Sequence, residues 1–422
     1  MRGHGEMRNK DLLRVAAARF ISRAGGEAAF FVGIWGKAAY ELQATPAQLA
    51  VLMGALSVSS ILGTVLSGVL VDRYDARRVL MVAEAFFVPI TLAFLFPSGM
   101  VQLTVLAGLL GFFGAPVMTA AASFAPFIAD EDTPIETVNA WIEGASSSSF
   151  VIGPAIGAVL VSVIGLNAIW IFDGFTSLVA VFLVWRVTLR PVEKPKRERS
   201  HAFAELRDGL RYTYSHRALR YPILLGTATW LSFGAFSALE PLFYRDVLHT
   251  GVAAIGWMNT LFGIGMVAGA WLFTRLPSRV NSAQGLAYVC SAVGLGALAY
   301  VGTALLPVVA VGSVVWGVII GVADVLLRTR VQASSPDELV GRIAGTSQMH
   351  RQAGELLPLA LAPTLAVAFG VQPVLIGGGL VLAVVALLTL GEARAVDLLP
   401  AVSMARVSSR LSADDEPVSP NP

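Results

Sequence analysis

Apolar residues fill this chain in long blocks, and polar residues are gathered into the short gaps between them. A helix needs about 20 mainly apolar residues to cross a bilayer. Blocks of that kind recur near residues 13 to 40, 47 to 71, 79 to 97, 101 to 129, 138 to 163, 168 to 188, 221 to 245, 252 to 274, 283 to 303, 306 to 328, 342 to 368 and 372 to 391. They are too long for strands and too poor in charge for solvated helices, so the pattern predicts an all-α integral membrane protein with twelve transmembrane helices. The first block contains Arg19, Arg23 and Glu27, and its basic start "MRGHGEMRNKDLLR" leads to no small-residue cleavage site. It reads as a retained first helix, not a removed signal peptide.

The stretch "RPVEKPKRERSHAFAELRDGLRYTYSHRALR" divides the chain almost in half. Its first part is a Pro- and charge-rich linker. From Ala202 onward Phe203, Leu206 and Leu210 recur at helical spacing opposite Arg207 and Arg211, which predicts an amphipathic helix on the inner membrane face. The segment after about Glu392, ending "SADDEPVSPNP", has little to bury and is expected to be disordered. Two faint echoes link the halves. "GTVLSGVLVDRYDARRV" resembles "VAGAWLFTRLPSRV" about 200 residues later, and Pro154 in "SSSSFVIGPAIGAVL" matches Pro358 in "HRQAGELLPLALAPTL" at a similar interval. Two pseudo-symmetric six-helix bundles with a cavity between them near the midplane follow. The expected division is an N-terminal bundle over 1 to 190, a cytoplasmic linker over 191 to 220, a C-terminal bundle over 221 to 395 and a cytoplasmic tail over 396 to 422.

Composition agrees: 55% of the 422 residues are hydrophobic and 14% charged, with a mean hydropathy of +0.70, where soluble domains carry nearer ~25% charged residues. The net charge of +2 matters less than its distribution. The even-numbered gaps hold Arg73, Arg77 and Arg78, then the run from Arg186 to Arg220, then Arg275 and Arg279, then Arg328, Arg330 and Arg342. The odd-numbered gaps are nearly bare, with Arg245 the clear exception and Lys37 close to a span end. The positive-inside bias therefore predicts a multi-pass protein of the cytoplasmic (inner) membrane with both termini inside; the acidic gap from Asp130 to Glu136 counts little in that rule. Cys290 is the only cysteine, so no internal disulfide is possible.

Several function classes find no support. The only lysines are Lys10, Lys37, Lys194 and Lys196, and none stands in a phosphate-binding loop. There is no His-Glu-x-x-His, Cys cluster or Gly-x-Ser-x-Gly motif, so no enzyme, cofactor or metal site is expected. Transport would then draw on an ion gradient or on the substrate's own gradient. An ion gradient needs titratable groups inside the membrane, where a charge costs at least ~2.5 kcal/mol. Arg19, Arg23 and Glu27 share one face of the first helix, with Glu27 the deepest. His350, Arg351 and Glu355 form a second cluster on the eleventh, with Arg351 and Glu355 one turn apart. Asp324 and Arg328 have the spacing of a static pair or a gate. Glu84 is placed to neutralise a nearby arginine, Glu143 and Asp173 to be wetted near the interfaces, and Glu240 precedes Pro241 on the seventh helix. Phe30, Phe31 and Trp35, with Trp230, Phe233 and Phe236, either line an aromatic cavity or serve ordinary packing.

"GVLVDRYDARRVL" carries the most specific signal. It resembles the signature loop between helices 2 and 3 of the major facilitator superfamily, with Gly68, Asp72, Arg73, Arg77 and Arg78 in matching places. It departs at Asp75, where a glycine is usual, and at Ala76, where a basic residue is usual. An Asp at that position, "RFISRAGGEAAFFVGIW" and "VQASSPDELVGRI" are similar to the branch of macrolide-efflux and enterobactin-exporter proteins. Gly153, Pro154 and Gly157 resemble the family's antiporter motif on helix 5, with Ala158 in place of its last glycine. The arginine often found on helix 4 is absent from "LAGLLGFFGAPVM".

The resemblance implies an alternating-access transporter in which Asp72 latches the cytoplasmic side against the start of the eleventh helix, near Gly341. Its expected partners are a small-molecule substrate, protons and the lipid bilayer, with no nucleic acid and a monomeric state. Proton-coupled efflux of amphipathic, drug-like molecules fits an aromatic cavity plus a buried acid, with Glu27 as the coupling group and Glu355 as second choice. Export of a siderophore or lipid-like metabolite, import on the same fold, and a non-transporting scaffold or sensor are the alternatives.

Overall fold

A computed structural model describes residues 2–129, 133–188, 202–336 and 339–399, with side chains described at all of these except 2–9, 68, 69, 72, 122 and 202–206. Twelve long helices run in the order expected: α1 (Arg2–Ala28, continued by π-helical turns Ala29–Ile34 and Lys37–Glu41), α2 (Pro46–Arg73), α3 (Ala76–Ala93), α4 (Met100–Ala122), α5 (Ile135–Val163), α6 (Asn167–Trp185), α7 (Arg217–Leu242, continued by a π-helical turn Phe243–Val247), α8 (Val252–Phe273), α9 (Ala283–Val301), α10 (Leu306–Ala333), α11 (Val340–Phe369) and α12 (Val371–Leu388). Ten of them are long and apolar enough to cross a membrane. The other two are α1, with its intramembrane charges, and α3, which carries Arg77, Arg78 and Glu84; both pack among the spanning helices. The fourth block ends earlier than expected, at Ala122, and a separate short helix covers Ala125–Ile128. The linker segment 189–201 and the tail from 400 lie outside the described residues, as do the side chains of Phe203 and Leu206; the amphipathic helix itself spans Ala202–Ser215.

Local chemistry sets the helix starts. Thr45 Oγ1 accepts from Gln48 N at 3.3 Å while Gln48 Oε1 accepts from Thr45 N at 2.9 Å, a reciprocal cap on α2. Asp75 accepts from Arg77 N at 2.9 Å and so caps α3, which is what the residue standing in place of the signature glycine does. At α9 Ser282 Oγ accepts from Gly285 N at 2.9 Å, and a second partner comes from far along the chain. Asp397, in a short helix Leu390–Asp397, accepts from Ala283 N at 2.7 Å and from Gln284 N at 3.0 Å. The same helix carries Glu392, whose carboxyl is held below the ordinary carboxylate range by its hydrogen bonds from Arg217.

The helix pairs repeat. α1 packs on α5 and α6, α2 on α4, and α3 on α4 and α6; adding six to each number gives the pairs of the second half. The halves meet where α5 packs on α8 and α2 on α11, and these two pairs also interchange under the same operation. At residue level the repeat is a shift of 206. A methyl group on Gly111 would strike the Leu56 carbonyl oxygen and one on Gly317 the Phe262 carbonyl oxygen; Gly63 against Phe112 and Gly269 against Val318 are related by the same shift. Small residues at these contacts let two backbones touch, the main source of helix adhesion in lipid. Gly317→Leu should therefore force α8 and α10 apart, costing about 1–3 kcal/mol, visible as a lower melting temperature in detergent; an unchanged melt would show the contact to be slack.

The two ends of α1 and α7 away from the linker also match. Leu42 N donates to Lys37 O and Ala44 N to Ala38 O, and at the shifted positions Leu248 N donates to Phe243 O and Thr250 N to Tyr244 O. Each chain then turns through a left-handed residue, Gln43 (φ 49°) or His249 (φ 51°). This bonding pattern gives the Ala39 carbonyl no backbone donor. Arg245 of the other half supplies one: its Nη1 donates to Ala39 O at 2.7 Å and to Ala44 O at 3.2 Å.

Candidate functional site

A cavity of about 340 Å³ lies between the halves. Its walls are aromatic. Phe30, Phe31, Trp35 and Phe150 come from α1 and α5, and Trp230, Phe233, Phe236, Phe262, Tyr300 and Trp316 from α7 to α10. Trp316 organises the second set. Its Nε1 donates to Val293 O at 3.0 Å, and Phe233 and Tyr300 stack on it at 5.0 and 5.2 Å between centroids. Phe31 meets Trp35 edge to face at 5.3 Å. The six aromatic residues singled out in the sequence all line this cavity.

Polar groups sit at its two ends. Toward the linker face lie Asp324 and Arg328 of α10 with Arg351 and Glu355 of α11. The Arg328 side chain is 65% exposed, whereas Glu240 at the far end is 8% exposed, so the cavity opens toward the linker and closes away from it. Glu240 Oε1 accepts from the Tyr300 hydroxyl at 2.5 Å and from the Tyr244 hydroxyl at 3.2 Å, and its other oxygen takes no hydrogen bond among the described residues. The Tyr244 and Tyr300 hydroxyl oxygens also lie within hydrogen-bond reach, so the Tyr244 proton is shared between Glu240 and Tyr300. Beyond Glu240 the closed end is sealed by the Arg245 contact and by α5 on α8, where a Cβ on Gly256 would come within 2.5 Å of the Pro154 carbonyl oxygen.

The first-helix cluster is elsewhere. Arg23 pairs with Glu27 at 2.8 Å, Arg19 Nε donates to Ser146 Oγ at 2.7 Å, and both arginines reach the Met118 sulfur. None of the three lines the cavity; they lie between α1, α4 and α5. Gly153 explains the close approach there, since a Cβ on it would fall 2.7 Å from both the Ala24 carbonyl oxygen and the Glu27 Cβ; Gly157 faces Val32 in the same way. The small residues of the helix-5 motif thus seat α5 against Glu27.

Glu84 is buried, accepts from Ser22 Oγ at 2.5 Å, and lies close enough to Arg19 for the two opposite charges to interact, in keeping with the expectation of a nearby arginine. Asp173 is not wetted but 1% exposed, with Thr91 Oγ1 donating to it at 2.7 Å, since α6 presents that face to α3; Glu143 is exposed, as expected. Arg351 lines the cavity one turn from Glu355, as expected, without an ion pair between the two. Its guanidinium lies 4.1 Å over the Trp230 ring and 4.0 Å from Asp324. His350 faces the linker helix, accepting from or donating to the Tyr214 hydroxyl at 2.7 Å. That helix also occupies the start of α11, where Arg342 lies 3.7 Å from Asp208. Of the signature loop, Arg77 donates to the Trp185 carbonyl, Arg73 and Arg78 are exposed, and the side chains of Gly68 and Asp72 lie outside the described residues.

Tyr244, Tyr300, Asn259, Phe150 and Trp316 are cavity or support residues that the sequence did not single out. The i, i+4 spacing of Glu240 and Tyr244, and the isolation of Trp316 among the aliphatic residues of α10, are signals for two of them.

Residues 15–358 match the family model of the Major Facilitator Superfamily. The chain is 26% identical over 339 residues to the multidrug efflux pump Tap of Mycobacterium tuberculosis (strain ATCC 25618 / H37Rv), covering 77% of this chain and 80% of that one. It is 26% identical over 379 residues to the multidrug efflux pump Tap of Mycolicibacterium fortuitum, covering 86% and 90%. Among solved structures, the D323A mutant of the nucleoside transporter NupG matches in fold with a TM-score of 0.72 at 11% identity, over 90% of this chain and 99% of that one. With its paired six-helix halves, its cavity between them and a family match over most of its length, the chain belongs to the major facilitator superfamily.

Proposed function

We propose that this protein is a proton-coupled exporter of amphipathic organic cations and related hydrophobic molecules, working by alternating access. The observation that carries the reading is the cavity: aromatic walls from both halves and one deeply placed carboxylate, Glu240, with an oxygen left open. Aromatic faces attract cations by about 2 kcal/mol or more once water is excluded, and a buried acid adds to that attraction. The likeness to two multidrug efflux pumps supports drug efflux in general. Residues 1 to 190 and 221 to 395 are the moving bodies, and the basic linker face is cytoplasmic. On this reading the described conformation receives substrate from the cytoplasm, and rocking about the α2–α11 and α5–α8 contacts delivers it to the other side.

Glu240 meets the substrate's charge and Glu27 carries the coupling proton. Purified protein in liposomes, loaded with tetraphenylphosphonium and given an inward proton gradient on the side opposite the linker, should drive the probe across. A protonophore should stop it. Movement that ignores the protonophore would remove the coupling, and no movement of this or other lipophilic cations would remove the substrate class.

A further inference from the structure

Five charged groups line the cavity: the carboxylates Glu240, Asp324 and Glu355 and the guanidinium groups Arg328 and Arg351. Arg328 has a partner of its own, with Nε 3.1 Å from Asp324 Oδ2 one turn away, and it projects from the mouth. Arg351 is held differently. Its nearest carboxylate oxygen, Asp324 Oδ1, is 4.0 Å away, the outer limit of an ion pair. What it touches closely is a ring: the guanidinium carbon sits 4.1 Å from the Trp230 centroid. Glu355, the next turn of the same helix, forms no ion pair among the described residues.

A flat, delocalised cation thus already lies on an indole face inside the cavity, with one acid beside it and a second unpaired. Those are the contacts a lipophilic organic cation would itself seek. We propose that Arg351 is a resident cation occupying the first of two stations for the substrate's charge, at the linker end ahead of Glu240, so that a substrate enters by displacing it from Trp230, with Glu355 receiving the displaced guanidinium. Arg351 is then a specificity-determining residue. It sets a threshold: only a cation able to cover Trp230 better than a guanidinium does can enter, while a small hydrated cation cannot. Because Arg351 can pass from Asp324 to Glu355 without losing a carboxylate neighbour, its charge is never stranded in the low-dielectric interior. The inference rests on the cavity being the substrate site, as proposed above.

The test is equilibrium dialysis of tetraphenylphosphonium against the full chain in detergent micelles, with triphenylphosphine oxide as a neutral aromatic control. Arg351→Gln removes the competitor and one positive charge, and should tighten tetraphenylphosphonium binding about 5- to 10-fold, leaving the neutral probe unchanged. Arg351→Lys keeps the charge without the flat fork and should fall between the two. Adding Trp230→Leu to Arg351→Gln should cancel the gain. A residue that merely braced α10 against α11 would weaken both probes alike. Unchanged or weaker cation binding in Arg351→Gln, or an equal gain for the neutral probe, overturns the inference. Absence of cation binding in both wild type and Arg351→Gln overturns the cavity reading itself.

Discussion

Glu27→Gln is expected to reduce gradient-driven accumulation to the level of protein-free vesicles while leaving the chain folded and able to exchange substrate. The replacement is nearly isosteric, so the close seat of Glu27 against Gly153 is kept. What changes is the charge. In the described conformation Arg23 holds the carboxylate at 2.8 Å, and the Glu27 side chain is 12% exposed, so the pair is a compact, neutral unit between α1, α4 and α5. Protonating Glu27 strands the Arg23 charge, and on the proposed mechanism the rocking of residues 1 to 190 against 221 to 395 alters the pair's access to water; either event is coupled to the other by reciprocal linkage. A charge left alone at that depth costs at least ~2.5 kcal/mol, enough to tilt a conformational balance by well over tenfold. Glu27→Asp should keep part of the activity. Proteoliposomes of Glu27→Gln that pump at the wild-type rate with the same pH dependence would make Glu27 structural and pass the role to Glu355.

Arg245→Gln should open the side away from the linker. In the native chain one guanidinium from the second half takes the orphaned Ala39 carbonyl of the first, while its Nε and Nη2 stay paired with Asp246 at 2.6 and 3.0 Å. A hydrogen bond from a charged donor contributes about 1.5 to 3 kcal/mol, so losing even one shifts the open-to-closed ratio by about 10- to 100-fold. A cysteine at Ser237, beside Glu240 in the closed end, reports this directly in a Cys290→Ser background. Labelling by an impermeant maleimide from the side away from the linker should be slow in the wild-type pairing and at least tenfold faster in Arg245→Gln. Arg245→Lys, which retains a donor, should lie between. Equal labelling rates in all three would mean that the seal does not depend on this contact.

Arg245 also shows how far the sequence could be read. Counting basic residues marked it only as an exception to the charge bias. Its cause is a carbonyl left over by a π-helical turn 206 positions away, and neither the turn nor the contact has a sequence signature. The helices themselves were legible because lipid demands long apolar blocks. The internal repeat was faint because only its contacts recur: Gly111 and Leu56 shift onto Gly317 and Phe262. The chemistry is not duplicated. The same shift carries Glu27 onto Phe233 and Glu84 onto Cys290, so each half keeps its own acids. At the site, helical spacing placed Arg19, Arg23 and Glu27 together correctly. It gave no sign that Arg351, with Glu355 at i+4, would lie on the Trp230 ring from α7. Spacing within one helix cannot rank such an interhelical option. Tyr300, bonded to Glu240 from 60 residues away, was out of reach for the same reason.

The Asp397 cap sets a clock on biogenesis. The first amides of α9 are satisfied by a carboxylate that lies 114 residues farther along the chain. At the usual ~5–20 residues per second of synthesis, those amides wait roughly 6 to 23 s after they are made before their partner exists. Through that interval the second half can be inserted but not finished. A nascent chain halted short of residue 397 keeps the Ser282 cap on Gly285 N but leaves the Ala283 and Gln284 amides on the linker side without their carboxylate.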